Sequence, residues 1–284
     1  MDSPVALEGA RDAAAGWSTT PSEHSARVEA GAVQSASPSI LSKAFAILET
    51  FTQDRGVLSL SQISRSSGLP KSTVHRVIKM LVKLGAVARH GEDYRLGPRM
   101  FSFGSRSAEI ALREVAMPHL LSLATRTRHL VQLGVLRERD ILYLAKVGGQ
   151  GSLNPVPVGD RLAAHTTALG KAILAFSGQD AVLALADGGL ARRTPTTITD
   201  HGVLEAALAE VRSRRMATDR EEAVRGLHCV AAPILSGGRA VAAISIAFPA
   251  TLGSGQAFTS ALQETATRLS RALQHTDTAI SRAC

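Results

Sequence analysis

Two groups of residues carry side chains that could do chemistry. The first runs Lys71-Ser72-Thr73-Val74-His75-Arg76 and continues through Lys79 and Lys83. On a helical repeat, Ser72, His75, Arg76, Lys79 and Lys83 fall at i, i+3, i+4, i+7 and i+11, on one face. Val74, Val77, Ile78 and Leu81 fall on the other. Hydroxyl, imidazole, guanidinium and ammonium donors crowded on one exposed helix face suit the major groove of DNA. Ser72, Thr73, His75 and Arg76 lie near the helix start, where base edges are read. Arginine can bridge O6 and N7 of guanine, while Lys79 and Lys83 are suited to phosphates.

The second group lies in the later sequence: His165 and Thr166 together, and Cys229 far from them. A helix starting near Thr166 would present unpaired backbone N–H groups and a positive dipole end to a carboxylate. His165 and Cys229 could instead form a nucleophile–base pair beside a carboxylate, the mark of a small-molecule-processing enzyme. Against that enzyme reading, the sequence holds no Gly-rich phosphate loop and no Gly-x-Ser-x-Gly turn. Nine His and two Cys show no close metal-ligand spacing, so no metal or cofactor is expected.

The elements that must position the first group are legible around it. Apolar residues Leu41, Phe45, Ile47, Leu48 and Phe51 predict a helix over 38–52 with these as its core face. A second helix is expected over 61–67, ended by Gly68, and a third from Pro70 to about 84, with Gly85 after it. Residues 86–96 then read as strand, turn, strand, placing Arg89, His90 and Arg95 on a hairpin wing. Residues 100–123 look helical, with a break expected at Pro118. Beyond lie strands over 129–136, 141–147, 228–235 and 240–248, and helices over 166–176, 204–215 and 256–280. A sheet flanked by helices, an α+β fold, is the simplest packing.

Charge supports this division. Residues 39–100 hold ten Lys and Arg against four Asp and Glu, a net +6 out of +8 for the whole chain of 284 residues. A basic module of this kind is the footprint of polyanion binding. Residues 1–38 carry −3, show no apolar period and read as a disordered arm. No stretch approaches the roughly 20 apolar residues of a membrane span. No secretory signal is evident, and two distant cysteines fit a reducing, cytoplasmic setting.

The ordered segments Gly-Leu-Pro-Lys-Ser-Thr-Val-His-Arg (68–76), Tyr-Arg-Leu-Gly (94–97), Gly-Asp-Arg-Leu-Ala-Ala-His-Thr-Thr-Ala-Leu-Gly-Lys-Ala (159–172), Asp-Arg-Glu-Glu (219–222), Gly-Leu-His-Cys-Val-Ala-Ala-Pro (226–233) and Ala-Ala-Ile-Ser-Ile (242–246) complete the picture. Together, residues 39–284 resemble the IclR family of bacterial transcription regulators. The resemblance implies a winged helix-turn-helix domain over 39–98, a linker helix over 99–117 and a GAF-like α/β effector-binding and oligomerisation domain over 118–284. It implies a homodimer or homotetramer on a double-stranded operator, without catalysis and more a repressor than an activator. It also implies a small carboxylate or aromatic-acid effector, held by the backbone at Ala168 and Leu169, by Asp219, Cys229 and Ser245, and against Leu227. Two positions depart from the family: His228 stands where Arg is frequent, and Ala247-Phe248-Pro249 stand where a second Ser and Gly-Pro are frequent. Losing a hydroxyl and gaining a phenyl suggests a more apolar cavity, for an aromatic or longer acid.

Overall fold

The computed structural model describes residues 39–53, 56–149, 156–178, 181–182, 185 and 188–281. The expected arm over 1–38 lies outside them.

The first domain is built on α1 (Ile40–Gln53), α2 (Leu60–Ser67), α3 (Lys71–Lys83) and a hairpin of β1 (Val87–His90) and β2 (Asp93–Leu96). Ser59 and Gln62 form a reciprocal capping box at the start of α2, satisfying two otherwise unpaired backbone groups. Gly68 ends α2 at φ 68°, where a side chain would be strained, and so sets the turn into α3. Pro70 sits just before α3 rather than inside it. Ile47, Phe51, Ile63, Val74, Val77, Ile78, Leu81, Val87 and Tyr94 form one buried core. Backbone bonds between Leu58 and Tyr94 (2.8 and 2.9 Å) pin the wing to the segment before α2.

Helix α1 departs from expectation. Ile47 and Phe51 are buried, but Leu41 and Phe45 are 69% and 63% exposed. The apolar arc of the helix is wider than the stripe the core takes, and Leu41 and Phe45 lie at its outer edge. The long helical stretch also differs. It is two helices, α4 (Pro98–Gly104) and α5 (Ala108–Thr127), broken at residues 105–107. Pro118 lies inside α5 instead of breaking it. Ser107 supplies the break, because its side chain accepts the Ile110 N–H and starts a new helix.

The second domain is a six-stranded antiparallel sheet: β3 (Leu130–Arg137), β4 (Asp140–Val147), β5 (Arg161–Ala163), β6 (Ala217–Arg220), β7 (Leu227–Ser236) and β8 (Arg239–Pro249), in the order β5-β4-β3-β8-β7-β6. α5 and α8 (Thr259–Ser281) cover one face. α6 (Ala168–Leu174) and α7 (His201–Arg214) lie on the other. Alternation along β8 shows why the faces differ. Ile244, Ile246 and Phe248 pack toward α5 and α8, whereas Ala243, Ser245 and Ala247 point toward α6. Cys229, Ala231 and Ala217 continue this small-residue surface across β7 and β6. It leaves room for α6 to descend onto the sheet with every residue buried. Gly170 allows that descent: a Cβ there would lie 2.0 Å from the Ala164 carbonyl oxygen. The architecture is α+β, a winged helix-turn-helix and a GAF-like domain joined by helices.

Candidate functional site

In the first domain, α3 presents Lys71, Ser72, His75, Arg76 and Lys79 to solvent, while Thr73 is half-buried. The core contact of Val74, Val77 and Ile78 fixes which side faces out. Arg89 and Arg95 are exposed on the wing. The Arg89 guanidinium lies 5.9 Å from the Tyr94 ring centroid, so this cation is held over an aromatic face. The expected DNA contacts thus occupy an exposed helix face and the neighbouring hairpin.

In the second domain a cavity lies between the sheet and α6. Ala168, Leu169, Asp219, Leu227, Cys229 and Ser245 all line it, although they come from α6, β6, β7 and β8. Gln132, Tyr143, Leu162, Thr167, Ala223 and Val224 complete the wall. The cavity volume is about 10 Å3, room for roughly one water. A ring-sized ligand enters only if wall side chains move.

Several interactions shape this wall. Thr167 caps α6 by accepting the Gly170 N–H at 2.9 Å. The segment after β6 folds back on itself: the Glu221 carboxylate accepts the Gly226 N–H at 2.6 Å, and Glu221 adopts φ 62°. Hydroxyls of Thr194 and Thr197 donate to the carbonyls of Glu221 and Glu222 at 2.7 and 2.8 Å. Ala223 and Val224 are thereby carried against the cavity.

Asp219 is buried on β6, opposite Cys229 on β7. Burial is the largest influence on its carboxyl and pushes its pKa up to about 7, with Glu222 adding to the rise and Lys171 opposing it. Its Oδ1 accepts the Glu222 N–H at 2.7 Å. Lys171 and Glu222 form an ion pair at 2.5 Å with both side chains almost wholly buried. Burial, reinforced by the nearby Asp219, keeps the Cys229 thiol protonated well above its ordinary range. A thiol so held is a weak nucleophile. His165 is not on the cavity wall. Its Nε2–H donates to the Ala191 carbonyl at 3.1 Å, and burial lowers its pKa. The His165–Cys229 pair required by the enzyme reading does not line one site.

One expectation is corrected here. Phe248 adds no phenyl group to the cavity. Its position on β8 turns it to the opposite face, among Val230 and Leu262, with Phe258 5.1 Å away by ring centroids. His228 also turns aside, its Nδ1 against the Gly253 carbonyl oxygen at 2.8 Å. Ala247 packs on the α6 side of the sheet but does not line the cavity.

The family description "Bacterial transcriptional regulator IclR C-terminal" matches residues 106–271, and "IclR helix-turn-helix domain" matches 40–91. The chain belongs to the IclR family. It is a DNA-binding transcriptional regulator, and its family is one of regulators rather than enzymes. The HTH-type transcriptional regulator XynR of Escherichia coli K12 is 33% identical over 210 residues, 72% of this chain and 83% of that one. The HTH-type transcriptional repressor AllR of Klebsiella pneumoniae is 32% identical over 244 residues, 82% of this chain and 89% of that one. An IclR homolog from Microbacterium hydrocarbonoxydans, solved with 4-hydroxybenzoate, superposes with a TM-score of 0.76 at 30% identity, covering 84% of this chain and all of that one. Among the described residues, no helix is long and apolar enough to cross a membrane.

The family likeness brings six cavity residues together, but Gln132, Tyr143, Thr167 and the Lys171–Glu222 pair escape sequence reasoning. Gln132 offers the clearest missed signal, a single amide inside the apolar run Leu130-Val131-Gln132-Leu133.

Proposed function

We propose that this regulator is a repressor whose operator affinity is set by a small organic or aromatic acid bound between α6 and the sheet. The convergence of Ala168, Leu169, Asp219, Leu227, Cys229 and Ser245 on one cavity carries this reading. The protonatable Asp219 carboxyl and the Ser245 hydroxyl supply polar contacts inside walls of Leu169, Leu227 and Val224. The 4-hydroxybenzoate in the Microbacterium homolog supports an aromatic acid, and the AllR relative supports repression.

On DNA, α3 enters the major groove, with Ser72, Thr73, His75 and Arg76 at base edges and Lys71 and Lys79 at phosphates. Arg89 and Arg95 contact the flanking backbone. Two copies bind the two halves of a pseudo-palindrome. Exposed Leu41 and Phe45, with Phe101 at 78% exposure, support pairing of two chains through their DNA-binding ends. Division into a DNA-binding unit over 39–98, a connector over 99–117 and an effector unit over 118–284 belongs to the same reading.

The test is a thermal-shift screen of the full chain against keto, hydroxy and aromatic acids, followed by operator binding with and without the stabilising acid. Saturable stabilisation together with weakened operator binding is expected. Stabilisation without any change in operator affinity would refute effector control.

A further inference from the structure

The cavity has a second polar end. Gln132 on β3 is 1% exposed and lines the cavity. Its Oε1 accepts the Ser245 hydroxyl at 3.0 Å, and its Nε2 has no hydrogen-bond partner among the described residues. Reversing the amide does not remove this imbalance. One hydroxyl engages one end of the amide, and the other end is left over as donor or acceptor. A purely structural cross-strand pair would have no reason to bury that remainder, since an unmade buried hydrogen bond is costly.

The register places this amide far from Asp219. Gln132 pairs with Ser245, Ser245 with Ala231, and Ala231 with Ala217, all on the cavity face. Asp219 lies two residues beyond Ala217 on the same face. Three inter-strand steps and one two-residue step put the two backbones roughly 15 Å apart. The side chains reach inward from these ends, with Ala and Cys residues as the floor between them and Leu169 above.

We propose that Gln132, held by Ser245, binds a polar oxygen at the end of the effector remote from Asp219, so that the effector is a two-ended acid bearing a hydroxyl or a second carboxylate. This rests on the cavity being the effector site. A one-ended acid leaves the amide unpaired; a two-ended one satisfies it. Sites built around such a group discriminate strongly against ligands that lack it.

The test is calorimetric titration of the full chain with benzoate, 4-hydroxybenzoate and terephthalate, and with butyrate and succinate. The wild type should prefer a two-ended acid over its one-ended analogue by about tenfold or more. Gln132→Leu should lose the preference, so that the two-ended acid binds no better than its one-ended analogue. Gln132→Glu guards against misfolding of that variant: it should keep 4-hydroxybenzoate, whose phenol can donate, and weaken terephthalate and succinate relative to the wild type, because their second carboxylate then needs a proton to sit beside this one. A wild type that ignores the second oxygen overturns the proposal, as does a preference that survives Gln132→Leu or a dicarboxylate that binds Gln132→Glu as tightly as the wild type. If none of the five acids binds the wild type, the acid-effector reading falls, and this proposal with it.

Discussion

Asp219→Asn should change how stability depends on pH. In the folded chain the Asp219 carboxyl is raised from its ordinary 3.8 to about 7, chiefly by burial. Between those values the folded state holds a proton that the unfolded state has released. Stability from this group is therefore fully present below pH 3.8 and is lost as pH rises through 7. About three pKa units at about 1.4 kcal/mol each give roughly 4 kcal/mol in all, of which about 2–3 kcal/mol is lost between pH 5 and 8. Asparagine can still accept the Glu222 N–H through its Oδ1 but does not titrate. The assay is urea unfolding of wild type and variant at each pH from 5 to 8. Taking the difference cancels other groups, among them His165, whose lowered pKa gives stability that is lost in acid. The variant should gain about 2–3 kcal/mol on the wild type across that range. Parallel curves would show that Asp219 does not change protonation there.

Three more outcomes follow from the same geometry. An acid bound beside Asp219 should take up a proton, so its affinity should fall as pH rises above about 7; calorimetry in buffers of different ionisation enthalpy reads the proton directly, and no uptake refutes contact with this carboxyl. Lys171→Met or Glu222→Gln alone strands a buried charge or breaks the pair, and each should cost about 3–5 kcal/mol in urea unfolding; the double replacement Lys171→Met with Glu222→Leu should recover much of it, and additive losses would count against a coupled pair. Arg76→Ala should cost about 1–3 kcal/mol on the operator and relax base preference, whereas Lys79→Ala should weaken all sequences and reduce the salt slope by about one unit; equal losses for Arg76→Ala on operator and random DNA would remove it as a base reader.

Local signals made much of this legible. The α3 face was readable because its apolar and basic residues separate cleanly at helical spacing, and the wing because a Gly-containing turn divides two short strands. β3, β4, β7 and β8 were readable because each is long and bounded by turns. β5 and β6 were not: three and four residues at the sheet edges are too few for a period. Asp219 belongs to β6, a strand with no period of its own in the sequence. Leu41 and Phe45 misled because the apolar arc of α1 is wider than the stripe the core takes, and the sequence does not say where that stripe ends. Phe248 misled because one step of register decides its face. Lys171 and Glu222 are 51 residues apart, and only the fold brings them to 2.5 Å.

The strands that line the cavity also meet the helix leading to the DNA-binding domain. Gln132 and Ser245 face the cavity, while their neighbours Val131, Leu133, Ile244 and Ile246 pack in the core shared with α5. An interior packed this tightly does not absorb displacement locally. Arg137, at the end of β3, donates from Nε to the Glu109 carboxylate at 3.1 Å, tying the strand to the first turn of α5. That turn begins at Ser107, just beyond the break that separates α5 from α4. The cavity is nearly closed, so admitting a ring means moving wall side chains, and α5 is the rigid body on the far side of the same strands. Coupling between the two sites still requires two states that each ligand favours unequally. The break at residues 105–107 is where such states can differ without disturbing either core, because α4 buries no residue of its own.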